Sequence, residues 1–410
     1  MNGSSQLQLS GQYLVVNGLK FESGSLATGQ KVIEFRTSSS QLASFSRLTN
    51  TAIVSYNPSL SSTDYDWIGL YGTNNRVDHC SFVGKNHKGP LFVVWRPTNA
   101  TDLHQIDHNY FANFSSGGGE NGWETIRIGT SSTSLSDSSS IVESNLFQGC
   151  NGEIEIISVK SGNNILRHNT FDGNEGMLTL RHGRGNRVEG NFFFGNGVSN
   201  SGGVRIIDSD HVILNNYFEG LTGTSSRAAL VLANGVPNSA LSGYFQVQNV
   251  IVAFNTVYDC REALRIGWRS SSNTAEVRDS VIANNAIQSF GSAGSNVVVE
   301  EATPSNLTYE GNYMYGLNMK LGIPSNAGIT ELDPLLVTAG DGLIRPMTSS
   351  PLIDGAVGVY ADVVSDMDGQ SRPIGTAKDV GADKVSTAAA IKGPLLAVDV
   401  GTIVGPSWWI

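Results

Sequence analysis

The chain has no uninterrupted apolar run of the roughly 18 residues that a membrane-spanning helix needs, so no membrane partner is expected. Charge is scarce as well. Only 15% of the 410 residues are Asp, Glu, Lys or Arg, and the formal net charge is −10. An acidic chain with so few cations is a poor match for nucleic acid. Cysteine is limited to Cys80, Cys150 and Cys260, widely spaced and without a CxxC pair. That excludes a zinc ribbon or a disulfide framework and predicts buried structural thiols. Helical periodicity is missing throughout. So is the basic-then-apolar pattern of a signal peptide: the start, MNGSSQLQLSGQYLVVNGLKF, runs almost directly into strand-like alternation, as if a leader and the first structural coils were absent.

What the chain has instead is 47 glycines, and Ser, Thr and Asn between short apolar runs. This composition favours many short strands joined by turns. One short unit recurs: Asn, any residue, then an aromatic or aliphatic side chain. It occurs at Asn109-Tyr110-Phe111, Asn145-Leu146-Phe147, Asn169-Thr170-Phe171, Asn191-Phe192-Phe193 and Asn216-Tyr217-Phe218. Weaker copies lie at Asn255-Thr256-Val257, Asn285-Ala286-Ile287 and Asn312-Tyr313-Met314, with a degenerate one at His79-Cys80-Ser81-Phe82. Successive copies end 22 to 39 residues apart, a solenoid period. The closest spacings are too short for propeller blades. An all-β, single-stranded, right-handed parallel β-helix is therefore expected over residues 1–331, with its first coils truncated. Asn at the same turn of each coil would ladder onto its neighbours, and the residue two further on would fill the interior. Residues 332–410 lose the pattern and read as an irregular cap or tail on the last coils. Within them Asp366-Met367-Asp368-Gly369 reads as a turn, since the full spacing of a calcium loop is absent.

Three segments concentrate chemistry: Gly117–Gly129, Gly152–Ser161 and Gly176–Gly183. Each lies close to an Asn-x-Phe copy, so adjacent coils should bring them side by side. Glu153 and Glu155 alternate with Ile154 and Ile156, which on a strand puts both carboxylates on one face and both isoleucines inside. With Asn121 on the preceding coil they form an all-oxygen ligand set suited to Ca²⁺. Lys160 follows Glu155 by five residues, and Arg181 lies about one coil beyond. An ammonium crowded by a guanidinium gives up its proton more readily, which suits a lysine to the role of general base. Arg181 can fix a carboxylate or polarise a leaving oxygen. Plain ion pairing of both with nearby acids is the competing reading. Between residues 159 and 187, Lys160, Arg167, Arg181, Arg184 and Arg187 outnumber Asp172 and Glu175, a local basic stripe that could guide a polyanion. Arg127, Arg205 and Arg265, each between two apolar residues, should point outward and extend it.

The segments GEIEIISVKS, NTF, GMLTLRHG, GNFFFGNG and GGVRII resemble polysaccharide lyase family 6, which holds alginate lyases and the dermatan sulfate lyase chondroitinase B. The resemblance runs from about residue 8 to the C-terminus and implies the same parallel β-helix. It implies a Ca²⁺ ion held by Asn121, Glu153 and Glu155 against the substrate's uronate carboxylate. It further implies Lys160 as the base at C5, Arg181 as the acid or its assistant, and His182 and Arg205 in the substrate cleft. One departure is Val159, where many relatives carry Asn. Alginate is the expected anionic partner, with dermatan sulfate as the alternative because no extra basic cluster for sulfate is evident. A non-catalytic carbohydrate-binding β-helix is a third reading, which the Lys/Arg pair argues against. The resemblance also implies a secreted or periplasmic protein.

Overall fold

The computed structural model describes residues 1–289, 296–317, 319, 323, 325, 327–373 and 375–404, with residues 403 and 404 described by backbone alone. Contacts divide the chain into two compact units, residues 1–184 with 395–410, and residues 185–394. Both are built from parallel β-helix coils, and α-helix is absent among the described residues.

Each coil has three short strands, one in each of three parallel sheets. In the first unit the coil that carries Lys160 begins with Ile141–Glu143 in the second sheet. It turns into Leu146–Cys150 in the third sheet and reaches Glu155–Lys160 in the first. The turn between second and third sheets is two residues long and explains the repeat. The residue before the Asn takes a left-handed conformation (His108 φ 53°, Ser144 φ 53°, His168 φ 54°), reversing the chain in a tight space. The Asn then bonds to the next coil. Asn109 Nδ2 donates to Asn145 Oδ1, and Asn145 Nδ2 to Asn169 Oδ1, both at 3.0 Å. Cys80 fills the Asn position of the degenerate copy, its backbone N–H donating to Asn109 Oδ1. The second unit repeats the device from Asn191 through Asn216, Asn255 and Asn285 to Asn312.

Two residues after each Asn the side chain enters the core. Phe82, Phe111, Phe147 and Phe171 stack at 5.2, 4.9 and 4.8 Å between successive rings. All three cysteines are free and buried, as expected.

Beyond residue 335 the second unit carries an antiparallel hairpin, Leu336–Thr338 with Ile344–Pro346, followed by irregular chain. Leu336, Ile344, Leu352, Met367 and Val380 pack broadside on Phe192, Tyr217 and Ala286. The segment therefore covers a flank of several coils. The Asp366–Gly369 stretch is a turn: Asp366 Oδ1 accepts from the backbone N–H of Asp368 and of Gln370. Arg345 Nη1 reaches Asp368 and Asp383 at 2.6 and 3.0 Å, so these carboxylates already have a cation.

Candidate active site

The first sheet of the first unit carries the charged segments on consecutive rungs. Ile126 pairs with Ile157 and Ile128 with Val159, and these two pair with Leu178 and Leu180. All six side chains are buried. The residues between them, Arg127, Ser158 and Thr179, therefore alternate to the other face. Strict alternation fails just before: the register slips between Glu155 and Ile157, a bulge that inserts Ile156. Glu155 and Ser158 consequently share a face, and Ser158 Oγ donates to Glu155 Oε2. Gly176 (φ +117°) permits the close approach of the next rung, because a Cβ there would lie 2.7 Å from the Glu153 carbonyl oxygen.

Glu124, Glu153 and Glu155 converge here, each buried and each offering an oxygen within 4.8 Å of the others. Burial, followed by the Glu124 and Glu155 charges, holds the Glu153 carboxyl well above the usual carboxylate range. Glu124 Oε2 is buried without a hydrogen-bond partner. A repelling carboxylate cluster with an orphaned oxygen fits a hard divalent cation, which all-oxygen ligands suit. Glu124 escaped the sequence reading, although a signal existed. In both ETIRI and EIISV the Glu stands two residues before the inward isoleucine that pairs with its counterpart (Ile126 with Ile157). Asn121, expected as a ligand, is exposed in the loop leading to that strand.

Lys160 Nζ lies 3.5 Å from Glu124 Oε1, and Arg181 Nε lies 3.8 Å from Glu155 Oε1. His182 is opposite Lys160 on the next rung, with its Nδ1 3.4 Å from Arg181 Nη1. Burial, then Arg181 and Lys160, depress its protonation to about pH 3, so the ring is neutral near pH 7. Arg127 faces the same side, 4.0 Å from Glu124 Oε1 and 5.1 Å from the centre of the Trp95 ring. Lys160, Arg181, His182, Arg127, Glu153 and Glu155 are thus gathered in one place.

The basic stripe is not one patch. Arg167 belongs to the second sheet, where its Nε meets Glu143 at 2.6 Å. Arg187, in the second unit, pairs with Glu189. The period-2 rule had assigned faces within strands but could not assign strands to sheets. Arg205 and Arg265 lie in the second unit. Arg205 is buried on Ser201–Ile206, between inward Val204 and Ile206. Arg265 is clasped by Glu262 and by Glu301, the latter at 2.6 Å.

No curated protein matches the chain. Solved structures do. The PL6 family alginate lyase AlyGC, in a mutant form, is 36% identical, with TM-score 0.82 over 99% of this chain and 50% of its own. A mannuronic acid specific family 6 lyase from human gut microbiota is 33% identical (TM-score 0.72, covering 81% of this chain and 76% of that one). The PL6 family polysaccharide lyase Pedsa3628 from Pseudopedobacter saltans, at 23% identity and TM-score 0.68, shares the fold over 98% of this chain and 85% of its own. The chain spans about half the length of AlyGC. A family model described as Chondroitinase B matches residues 1–333. With the β-helix and the Glu/Lys/Arg cluster in place, these matches show that the chain belongs to the chondroitinase B family, polysaccharide lyase family 6.

Proposed function

We propose that the protein is an alginate lyase that cleaves its polymer by β-elimination. The observation that carries this reading is the placing of Lys160 and Arg181 on adjacent rungs, beside three buried glutamates. A binding protein needs no base beside such a cluster. A glycosidase would use an acid–base pair of carboxylates without the cations. Alginate is favoured because the more similar solved relatives are alginate and mannuronate lyases.

The C5 proton of a uronate is weakly acidic, because removing it adds charge next to an existing carboxylate. Lys160 Nζ takes that proton as general base. The electron pair forms the C4–C5 double bond as the C4–O bond breaks, and no water is consumed. Arg181 stabilises charge on the carboxylate or on the leaving oxygen with its donor fork. As the C4–O bond breaks that oxygen takes up a proton, from Arg181 replenished by solvent or from solvent directly under Arg181's assistance. Neutral His182 offers a ring nitrogen to orient a hydroxyl or the Arg181 guanidinium. Glu124, Glu153 and Glu155, with Asn121 from the loop, would hold Ca²⁺. When bound, the ion would offset the charge of the substrate carboxylate.

The test is ultraviolet absorbance of the unsaturated uronate on polymannuronate, polyguluronate and dermatan sulfate, with and without chelator. Signal on an alginate block is expected, falling by at least about 10³-fold in Lys160→Ala. No signal on any polymer would end the lyase reading. Signal on dermatan sulfate alone would transfer it to the substrate for which the family model is named.

A further inference from the structure

A second cleft lies on the same sheet, upstream of the Lys160 rung. It encloses about 490 Å³ and is lined by Lys31, Arg36, Tyr71, Trp95 and Thr130, among others. Lys31 opens the strand Lys31–Glu34, Trp95 directly follows Phe92–Val94, and Thr130 lies just past Ile126–Ile128. Val94 pairs with Ile128, and Ile128 with Val159. Trp95 therefore stands two rungs from Lys160, about 10 Å at the usual strand spacing.

Its chemistry differs from that of the glutamate cluster. The Tyr71 and Trp95 rings are stacked, 6.1 Å apart and 8° from parallel. Tyr71 is buried and backed by the Arg36 guanidinium at 3.9 Å, while Trp95 is part-exposed. The Lys31 ammonium lies 5.3 Å from the Trp95 ring centre, and Arg127 is on the same ring at 5.1 Å. Trp95 Nε1 donates to Asp66 Oδ2 at 3.3 Å, which fixes the indole. Gly69 leaves room for the Lys31 side chain: a Cβ there would press on Lys31 Cδ at 2.7 Å. The result is a rigid aromatic surface with two cations beside it, Lys31 3.7 Å from Asp66 Oδ2 and Arg36 2.7 Å from Glu34 Oε1, whose remaining N–H donors are what a carboxylate in the cleft would engage.

We propose that this cleft is a distal subsite for an anionic pyranose, with the sugar's apolar face against Trp95 and its carboxylate held by Lys31 and Arg36. Aromatic surface matches the C–H face of a pyranose, and convergent cations select the charged sugar over a neutral one. The inference rests on the lyase reading for the identity of the polymer. It adds that the chain is gripped at least one sugar beyond the pair being cleaved.

The test uses calorimetric titration of purified oligouronates of increasing length into full-length protein carrying Lys160→Ala, which prevents turnover. Affinity should rise with length and gain about tenfold once the oligomer reaches Trp95. Adding Trp95→Ala should abolish that gain, Trp95→Phe should keep most of it, and Lys31→Gln with Arg36→Gln should make it insensitive to salt. Melting temperatures of the variants exclude misfolding. A gain that survives Trp95→Ala, a loss equal at every length, or the same gain with neutral oligosaccharides would overturn the subsite. Length-dependent binding without unsaturated product from the unsubstituted protein would instead sink the lyase reading and leave the subsite standing.

Discussion

Glu124 stands between the two halves of the site. One carboxylate oxygen faces Lys160 and Arg127, and the other is buried without a partner. If it is a cation ligand, Glu124→Gln should weaken Ca²⁺ binding by about 10–100-fold, since an amide contributes one neutral oxygen in place of a charged pair. Titration with the metal alone reads this without any turnover, and unchanged affinity would reduce Glu124 to an ion-pair partner. A second residue-scale prediction concerns pH. His211 is buried in the second unit, where Nδ1 accepts the Asn186 N–H at 3.1 Å and Nε2 lies 3.0 Å from the Ile207 carbonyl. A proton on Nδ1 would set two donors against each other. Burial above all holds its protonation down to about pH 4, and that of His104 in the first unit to about 3. The folded chain thus binds fewer protons than the unfolded one between these values and the ordinary 6.5. The stability involved is complete above pH 6.5 and is lost as pH falls through 4. Melting temperature should be level above pH 6.5 and fall below it, with a shallower fall in His211→Gln. Parallel profiles would show that His211 does not carry the effect.

At the scale of the element, the Asn turn was the most legible feature, because one residue type solves the same backbone problem in every coil. Asn145 Nδ2 donates to the Ile106 carbonyl at 2.8 Å as well as to Asn169, and its Oδ1 accepts from Asn109. Asn145→Ala would leave several buried groups unpaired at about 1–3 kcal/mol each, so a net loss of about 2–4 kcal/mol is expected. Hydrogen exchange of Tyr110–Phe114 and Leu146–Cys150 should report it locally; full protection there would refute the ladder's energetic role. Less legible was anything set by the order of strands among sheets. Alternation within GEIEIISVKS puts both glutamates on one strand face and both isoleucines inside, but the strand begins only at Glu155, Ile154 is half-buried, and a bulge at Ile156, which depends on the neighbouring rung, breaks the period. Arg167 and Arg181 look alike in sequence, and only the coil's three-sided path sends one to the second sheet and the other to the first.

At the scale of the whole molecule, chain order and contact order part company, because residues 395–404 return to the first unit. The Leu395 N–H donates to Thr170 Oγ1 at 2.8 Å, the Gly401 N–H to the His108 carbonyl at 2.8 Å, and the Thr402 N–H to Ser81 Oγ at 3.0 Å. Val400 is fully buried. Gly401 (φ +67°) is required, since a Cβ would sit 2.6 Å from Ser81 Oγ. These contacts reach three of four consecutive coils of the third sheet, something no local pattern in the sequence announces. Truncation after Pro394 would remove these contacts and leave Thr170 and Ser81 to water. The expected cost is about 1–3 kcal/mol, confined to the first unit. Exchange should therefore quicken in Ser81–Val83, Tyr110–Phe114 and Thr170–Asp172 while the strands of residues 185–394 keep their protection. Since Lys160 and Arg181 belong to the same unit, the truncated protein should also lose activity at a lower temperature than the full chain. Equal loss of protection in both units would mean that unfolding is global and that the returning segment stabilises more than the coils it touches.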